Sequence, residues 1–298
     1  MRFYIVDAFT KELMGGNTAG VVLVEEDSID LNKELMKKTA EELKYNITVF
    51  VQRTKFGEFI FKFFSPVDEL DLCGHATIAA FTALLEEGWI EDNHAYVYHT
   101  PVGALEAMLQ NRFVMIEQGN GHIGKIINEK LEMERIYEIL GVDYQEVYID
   151  SPERKKRVYP ALVSTGIQDM LVPVKSRVEL EKIDPDDHVL KKMSKDYGAA
   201  SFHVFYVSEE NEIVHCRNFA PLYGVREDIA TGTSNASLLY YLHEMGILQN
   251  RGRFIQGEKM GRKSRIIGDI GKRESGELSI RVGGMGRILV KGEIYLSE

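Results

Sequence analysis

The stretch CGHATIAAFTALLEEG, residues 73–88, decides the fold, because a helix-length run without a polar face must be surrounded by its own protein. Ala76 to Leu85 is apolar at nearly every position, and Gly88 would stop the helix. The design returns at TGTSNASLLYYLHEMG, residues 231–246, where the run Ser234 to Met245 ends at Gly246. Gly74 and Gly232 are 158 residues apart, as are Gly88 and Gly246. Ahead of these helices Phe64-Ser65-Pro66 matches Phe219-Ala220-Pro221, with Pro66 eight residues before Gly74 and Pro221 eleven before Gly232. The offset predicts an internal duplication; chance similarity between two ordinary mixed domains is the competing explanation.

Working outward, alternating apolar residues predict strands at Arg2–Ala8, Ala19–Val24, Thr48–Arg53 and Glu58–Phe64, with a surface helix over Leu31–Leu43. Strands resume at Ala95–His99, Gly103–Leu109 and Arg112–Gln118, before a charged helix over Asn128–Leu140 ended by Gly141. The second round predicts strands near Tyr159–Ser164 and Met170–Val174, a helix over Asp186–Tyr197, and strands at Phe202–Val207 and Glu212–Phe219. Strands arriving in consecutive runs fit an α+β class better than a parallel sheet. The expected domains are 1–124 and 125–285, with a C-terminal strand over 286–298 returning to the first.

The 298 residues are 44% hydrophobic and 28% charged, the composition of an ordinary globular chain. A net charge of −10 leaves no basic excess for phosphates, so nucleic acid is excluded as an expected partner. Only Cys73 and Cys216 occur, which fits a reducing compartment, and no apolar run reaches membrane-spanning length. A cytoplasmic protein with no membrane partner is the expectation.

Chemistry concentrates at the two helix starts. Unpaired N–H groups and a partial positive charge there suit a small carboxylate, with Gly74, Ala76, Gly232, Thr233 and Ser234 leaving room for it. His75, beside the positive end of a buried helix, would be a neutral imidazole able to pass protons, or else a packed histidine bonded to a carbonyl. Asp228 could enter the same cleft from the second half, or simply form a turn. Cys73 reads first as a small buried spacer, because a two-thiol racemase would need a second cysteine where Thr231 stands. No HxxxH or CxxC spacing supports a metal, and MGGN and VGGMG lack the dinucleotide spacing, so these glycines read as turns and no nucleotide cofactor is expected.

FSPVDELDLCGHATIAA, REDIATGTSNAS, FIQGEKMGR and VGG, with AFT at Ala8 and GNTAGVV near the start, resemble the phenazine biosynthesis PhzF-like isomerases in order and over nearly the whole chain. The resemblance implies the diaminopimelate epimerase fold, with two similar domains each wrapping sheets around a central helix. It also implies a cofactor-independent isomerase, a homodimer, and a site in the interdomain cleft. His75 and Asp228 match the family's ionisable residues, and Gly74, Gly232 and Thr233 its substrate-anchoring helix starts. The family's acid/base glutamate should fall within Asn46–Val51, but its position holds Ile47, which can neither take nor give a proton. Glu42, on the surface helix, is a poor replacement. The resemblance therefore implies either an isomerase using His75 and Asp228 on a small carboxylate, or a family member that binds such a molecule without turning it over.

Overall fold

The computed structural model describes residues 1–24, 32–54, 57–208, 213–273 and 275–296. The chain divides into two compact units, one of Met1–Glu117 with Gly283–Glu298 and one of Gln118–Val282.

In the first unit β1 (Arg2–Ala8) pairs antiparallel with β2 (Asn17–Val24), whose apolar side chains are buried along nearly its whole length. α1 (Lys33–Leu43) is capped by Asn32, whose side chain accepts the Leu35 N–H at 2.9 Å, and it buries Met36, Thr39 and Ala40 at helical spacing. Leu31, where the helix was expected to begin, lies outside the described residues. β3 (Thr48–Arg53) runs parallel to β2 and antiparallel to β4 (Phe59–Phe64), which pairs with the short β5 (Glu69–Leu70). After α2 (Gly74–Glu86), β6 (Ala95–Thr100) lies parallel to β4 and opens an antiparallel meander with β7 (Gly103–Gln110) and β8 (Phe113–Glu117).

The second unit begins with β9 (His122–Ile126) and α3 (Lys130–Ile139), then the ladder of β10 (Val147–Ile149) and β11 (Lys156–Val158). β12 (Ala161–Ser164) pairs antiparallel with β9 and with β13 (Gln168–Pro173). Two surface helices follow, α4 (Arg177–Lys182) and α5 (Asp187–Tyr197), the latter capped by Asp186. β14 (Phe202–Val207) is parallel to β13 and antiparallel to β15 (Val214–Ala220), against which β16 (Val225–Asp228) folds back. Glu212, the expected first residue of β15, lies outside the described residues. After α6 (Gly232–Glu244), β17 (Arg251–Gln256) runs parallel to β15 and antiparallel to β18 (Ser264–Lys272). β19 (Leu278–Glu293) starts in this unit and from Gly283 belongs to the first, where it pairs antiparallel with β1.

Strand by strand, the pairing order around α6 repeats that around α2, with α4 and α5 where the first unit has α1. Both helices have 13 residues, and both open two residues earlier than the apolar runs begin. Their ends match: Trp89 N–H donates to Leu84 O at 3.0 Å and Ile247 N–H to Leu242 O at 2.9 Å, with Gly88 and Gly246 at φ +71° and +62°. α2 packs on β1, β2, β3 and β8, and α6 on β12, β13, β17 and β18. Ile78, Phe81 and Leu84 are fully buried, each contributing about 1.5–3 kcal/mol by leaving water. Phe61, Phe81 and Tyr98 form an aromatic cluster with centroids 4.9–5.4 Å apart.

Two boundaries differ from expectation. The second unit starts at Gln118, not 125, because β9 pairs with β12 and Gly119 N–H donates to Thr165 O at 2.8 Å. The first unit resumes at Gly283, not 286. The VGGMG glycines lie inside β19 instead of at a turn, since a Cβ on Gly283 would stand 2.0 Å from Val114 O. Among the described residues no helix is long and apolar enough to cross a membrane.

Candidate functional site

In the first unit, Cys73 occupies the N-cap of α2 in extended conformation, with no side-chain cap bond. It is half-buried rather than the buried spacer expected, and its Sγ lies 3.3 Å from His75 Nδ1. With the thiol as donor, the imidazole carries its proton on Nε2. A Cβ built on Gly74 would meet no atom within 4 Å, so the helix start is open to close approach at that residue. Ala76 is fully buried, and its N–H precedes the first bond of its helix, Thr77 N–H to Cys73 O at 2.9 Å. Ile47 is 7% exposed, just before β3, and its carbonyl accepts the Gly20 N–H at 3.0 Å. Glu42 is exposed on α1.

In the second unit the N-cap is Thr231, again without a bond to its own helix. Its hydroxyl donates to Asp228 Oδ2 at 2.6 Å, so this carboxylate is held against the start of α6. Gln256, fully buried, locks the arrangement: its Nε2 donates to Asp228 O at 2.9 Å and Thr231 Oγ1 at 3.1 Å, while its Oε1 accepts from Thr231 N–H at 3.2 Å and Asn235 Nδ2 at 2.9 Å. Asp228 ends β16, and the neighbouring Glu227 forms a two-pronged ion pair with Arg217 of β15 at 2.9 and 2.8 Å, fixing that strand. Gly232 is buried and Thr233 half-buried. Ser234 is 1% exposed, and its hydroxyl turns inward to Ser201 Oγ at 3.4 Å.

Cys73, Gly74, His75, Ala76 and Ile47 thus belong to one unit, and Asp228, Gly232, Thr233 and Ser234 to the other. Each ionisable candidate contacts the N-cap residue of its own helix: His75 with Cys73, Asp228 with Thr231. Sequence reasoning assigned no role to Gln256, although it stands in the quoted FIQGEKMGR piece, nor to Asn235, Ser201 or Asp169. A carboxylate inside the apolar stretch QDMLVP was the available signal for Asp169. Cys216 is buried on β15, and burial pushes its thiol well above the ordinary range, away from a reactive thiolate. Among the described residues no three His, Cys, Asp or Glu side chains are placed to hold a metal ion.

Comparison with known proteins gives residues 6–292 as a match to the model of the phenazine biosynthesis-like proteins. The chain belongs to this phenazine biosynthesis-like family. An uncharacterised isomerase of Clostridium acetobutylicum is 29% identical, covering 99% of this chain and 98% of the relative. The trans-2,3-dihydro-3-hydroxyanthranilate isomerase of Pseudomonas chlororaphis is 26% identical, covering 99% of both chains. A Bacillus anthracis phenazine biosynthesis protein of the PhzF family superposes with a TM-score of 0.83 at 25% identity, again over 99% of both. The α+β arrangement of mixed sheets is therefore that of the phenazine biosynthesis-like family.

Proposed function

We propose that this chain is a cofactor-independent isomerase that removes a proton from one position of a small carboxylate and returns one at another, with His75 and Asp228 as its proton-transfer groups. The observation that carries it is the repeated pairing of an ionisable side chain with the N-cap of a buried, glycine-opened helix, His75 at α2 and Asp228 at α6. The backbone N–H groups of Gly74, Ala76, Gly232, Thr233 and Ser234 anchor the carboxylate in this proposal, since they precede the first bonds of their helices, Thr77 N–H to Cys73 O and Asn235 N–H to Thr231 O. The two similar domains with central helices, the cleft site and the homodimer implied by the family resemblance belong to the same proposal, as does the cytoplasmic setting expected from the cysteine usage.

A second reading, binding without turnover, is favoured by Ile47, whose buried alkyl side chain offers no proton where the family glutamate is expected. The test follows deuterium uptake from solvent into a panel of small carboxylates that includes trans-2,3-dihydro-3-hydroxyanthranilate. His75→Ala and Asp228→Asn should each lower exchange by about 100-fold or more, the scale of one general acid or base. Unchanged exchange in both variants removes them from the mechanism. If the wild type exchanges nothing and Ile47→Glu creates exchange, the binding-only reading holds.

A further inference from the structure

Behind the first turn of α6 the second unit buries a cluster that the proposed proton transfer does not use. Asp169 of β13 is 1% exposed; Ser201 Oγ lies 2.7 Å from its Oδ1, 2.8 Å from Asn218 Oδ1 and 3.4 Å from Ser234 Oγ. His203 Nδ1 lies 3.1 Å from the same Asn218 oxygen, while Asp169 Oδ2 is buried with no hydrogen-bond partner. Ser201 can donate to only one of Asp169 and Asn218 at a time, and the unpartnered Oδ2 of Asp169 is where a proton can reside within the cluster.

The fold does not require this cluster, as the first unit shows. Ser201 is the counterpart of Ile47: each precedes the strand parallel to its neighbour, and each accepts one backbone bond, Gly20 N–H to Ile47 O at 3.0 Å and Met170 N–H to Ser201 O at 2.9 Å. By the same register Asp169 corresponds to Ala19, and by the helix offset Ser234 corresponds to Ala76. The first unit packs Ile47, Ala19 and Ala76, all buried and apolar, where the second keeps two hydroxyls and a carboxyl.

We propose that Asp169, acting through Ser201 and Ser234, couples binding of a carboxylate at the start of α6 to uptake of one proton. This rests on the anion site proposed above. An ionised Asp169 beneath the first turn would compete with the ligand for the helix dipole; a neutral one leaves the dipole to the ligand. The proton comes from solvent when the anion arrives and returns to solvent when it leaves, and the coupling is reciprocal. Burial raises Asp169 to about 6, opposed by hydrogen bonds from Ser201 and Ser234, with no charged side chain among the contributions. Of the groups facing the cluster, His203 of β14 is pulled down to about 4 by burial and stays neutral, and Asp228 of β16 is the register partner of Asn218 on β15, its carboxylate accepting from Thr231. β12 presents Val163 opposite Asp169, and α6 presents Ser234 and Asn235.

Calorimetric titration with benzoate, in two buffers of different protonation heat, counts the protons. The wild type should take up close to one proton per benzoate near pH 7 and lose roughly 50-fold or more in affinity between pH ~5 and ~8, since each pH unit across which one proton is taken up costs tenfold. Asp169→Asn should bind with no uptake and a flat pH profile; uptake unchanged in this variant, or absent in the wild type, overturns the coupling. Ser201→Ala, which keeps the acid but removes a donor, should shift the uptake to higher pH. Without ligand, the Thr233, Ser234 and Asn235 amide resonances should titrate in the wild type and not in Asp169→Asn, and their failure to titrate also overturns the proposal. No benzoate binding at any pH removes the anion site and the coupling with it, while the amide titration still reports separately whether Asp169 acts on the helix start.

Discussion

At the scale of single residues, Asp169 has a consequence for stability that is independent of any ligand. Its folded pKa of about 6 lies above the ~3.9 of an unfolded chain, so the folded state binds the proton more tightly. Its favourable contribution is present below pH ~4 and is lost as pH rises to about 6, a difference on the order of 3 kcal/mol. His203 acts in the opposite direction: with its folded pKa depressed to about 4, its contribution is present above the unfolded value of ~6.5 and is lost as pH falls toward 4. Asp169→Asn removes the first dependence and leaves the second. The variant's urea-unfolding free energy, measured against wild type, should therefore improve between pH ~4 and ~7; parallel curves would show that the carboxyl is not titrating inside the fold. Ile47 was legible from the sequence because a resemblance singled out its position. Its counterpart Ser201 was not, since its importance arises from neighbours at 169, 218 and 234 that only folding brings together.

At the scale of elements, Gly286 shows how a strand is shaped by the helix beneath it. A Cβ there would fall 2.1 Å from Thr82 Oγ1, itself donating to Ile78 O within α2 at 2.7 Å. Gly286→Ala should destabilise by about 1–3 kcal/mol, and Thr82→Ala introduced alongside should recover part of that loss, as urea midpoints of the four proteins would show. Simple additivity of the two changes would mean that the strand does not press on the helix. The two buried helices and the strands β1, β3 and β14, the strands to the residue, were readable because runs rich in Val, Ile, Phe and Tyr mark segments that the core buries, β3 and β14 at four consecutive positions. The VGGMG glycines were misread as turns because close approach of another element leaves no mark in local sequence. β16, β17 and β18 escaped notice for a related reason: short or glycine-interrupted strands take their conformation from partners distant in the chain.

At the scale of the whole molecule, the net charge of −10 opposes the local field of the proposed anion site. The helix dipoles act within the first turn, whereas the surface charge acts over a Debye length, about 30 Å at 0.01 M salt and about 8 Å at 0.15 M. An approaching carboxylate therefore meets the repulsion of the whole chain at low salt and mainly the local helix starts at physiological salt. Added salt should speed association of benzoate while leaving dissociation nearly unchanged, because the bound anion sits at short range where screening is weak. Stopped-flow measurement across this range of ionic strength separates the two rates. An association rate that falls with salt would mean that a positive field steers the ligand in, which the acidic composition does not predict. A dissociation rate that climbs steeply with salt would place the anion in open solvent instead of at the proposed site.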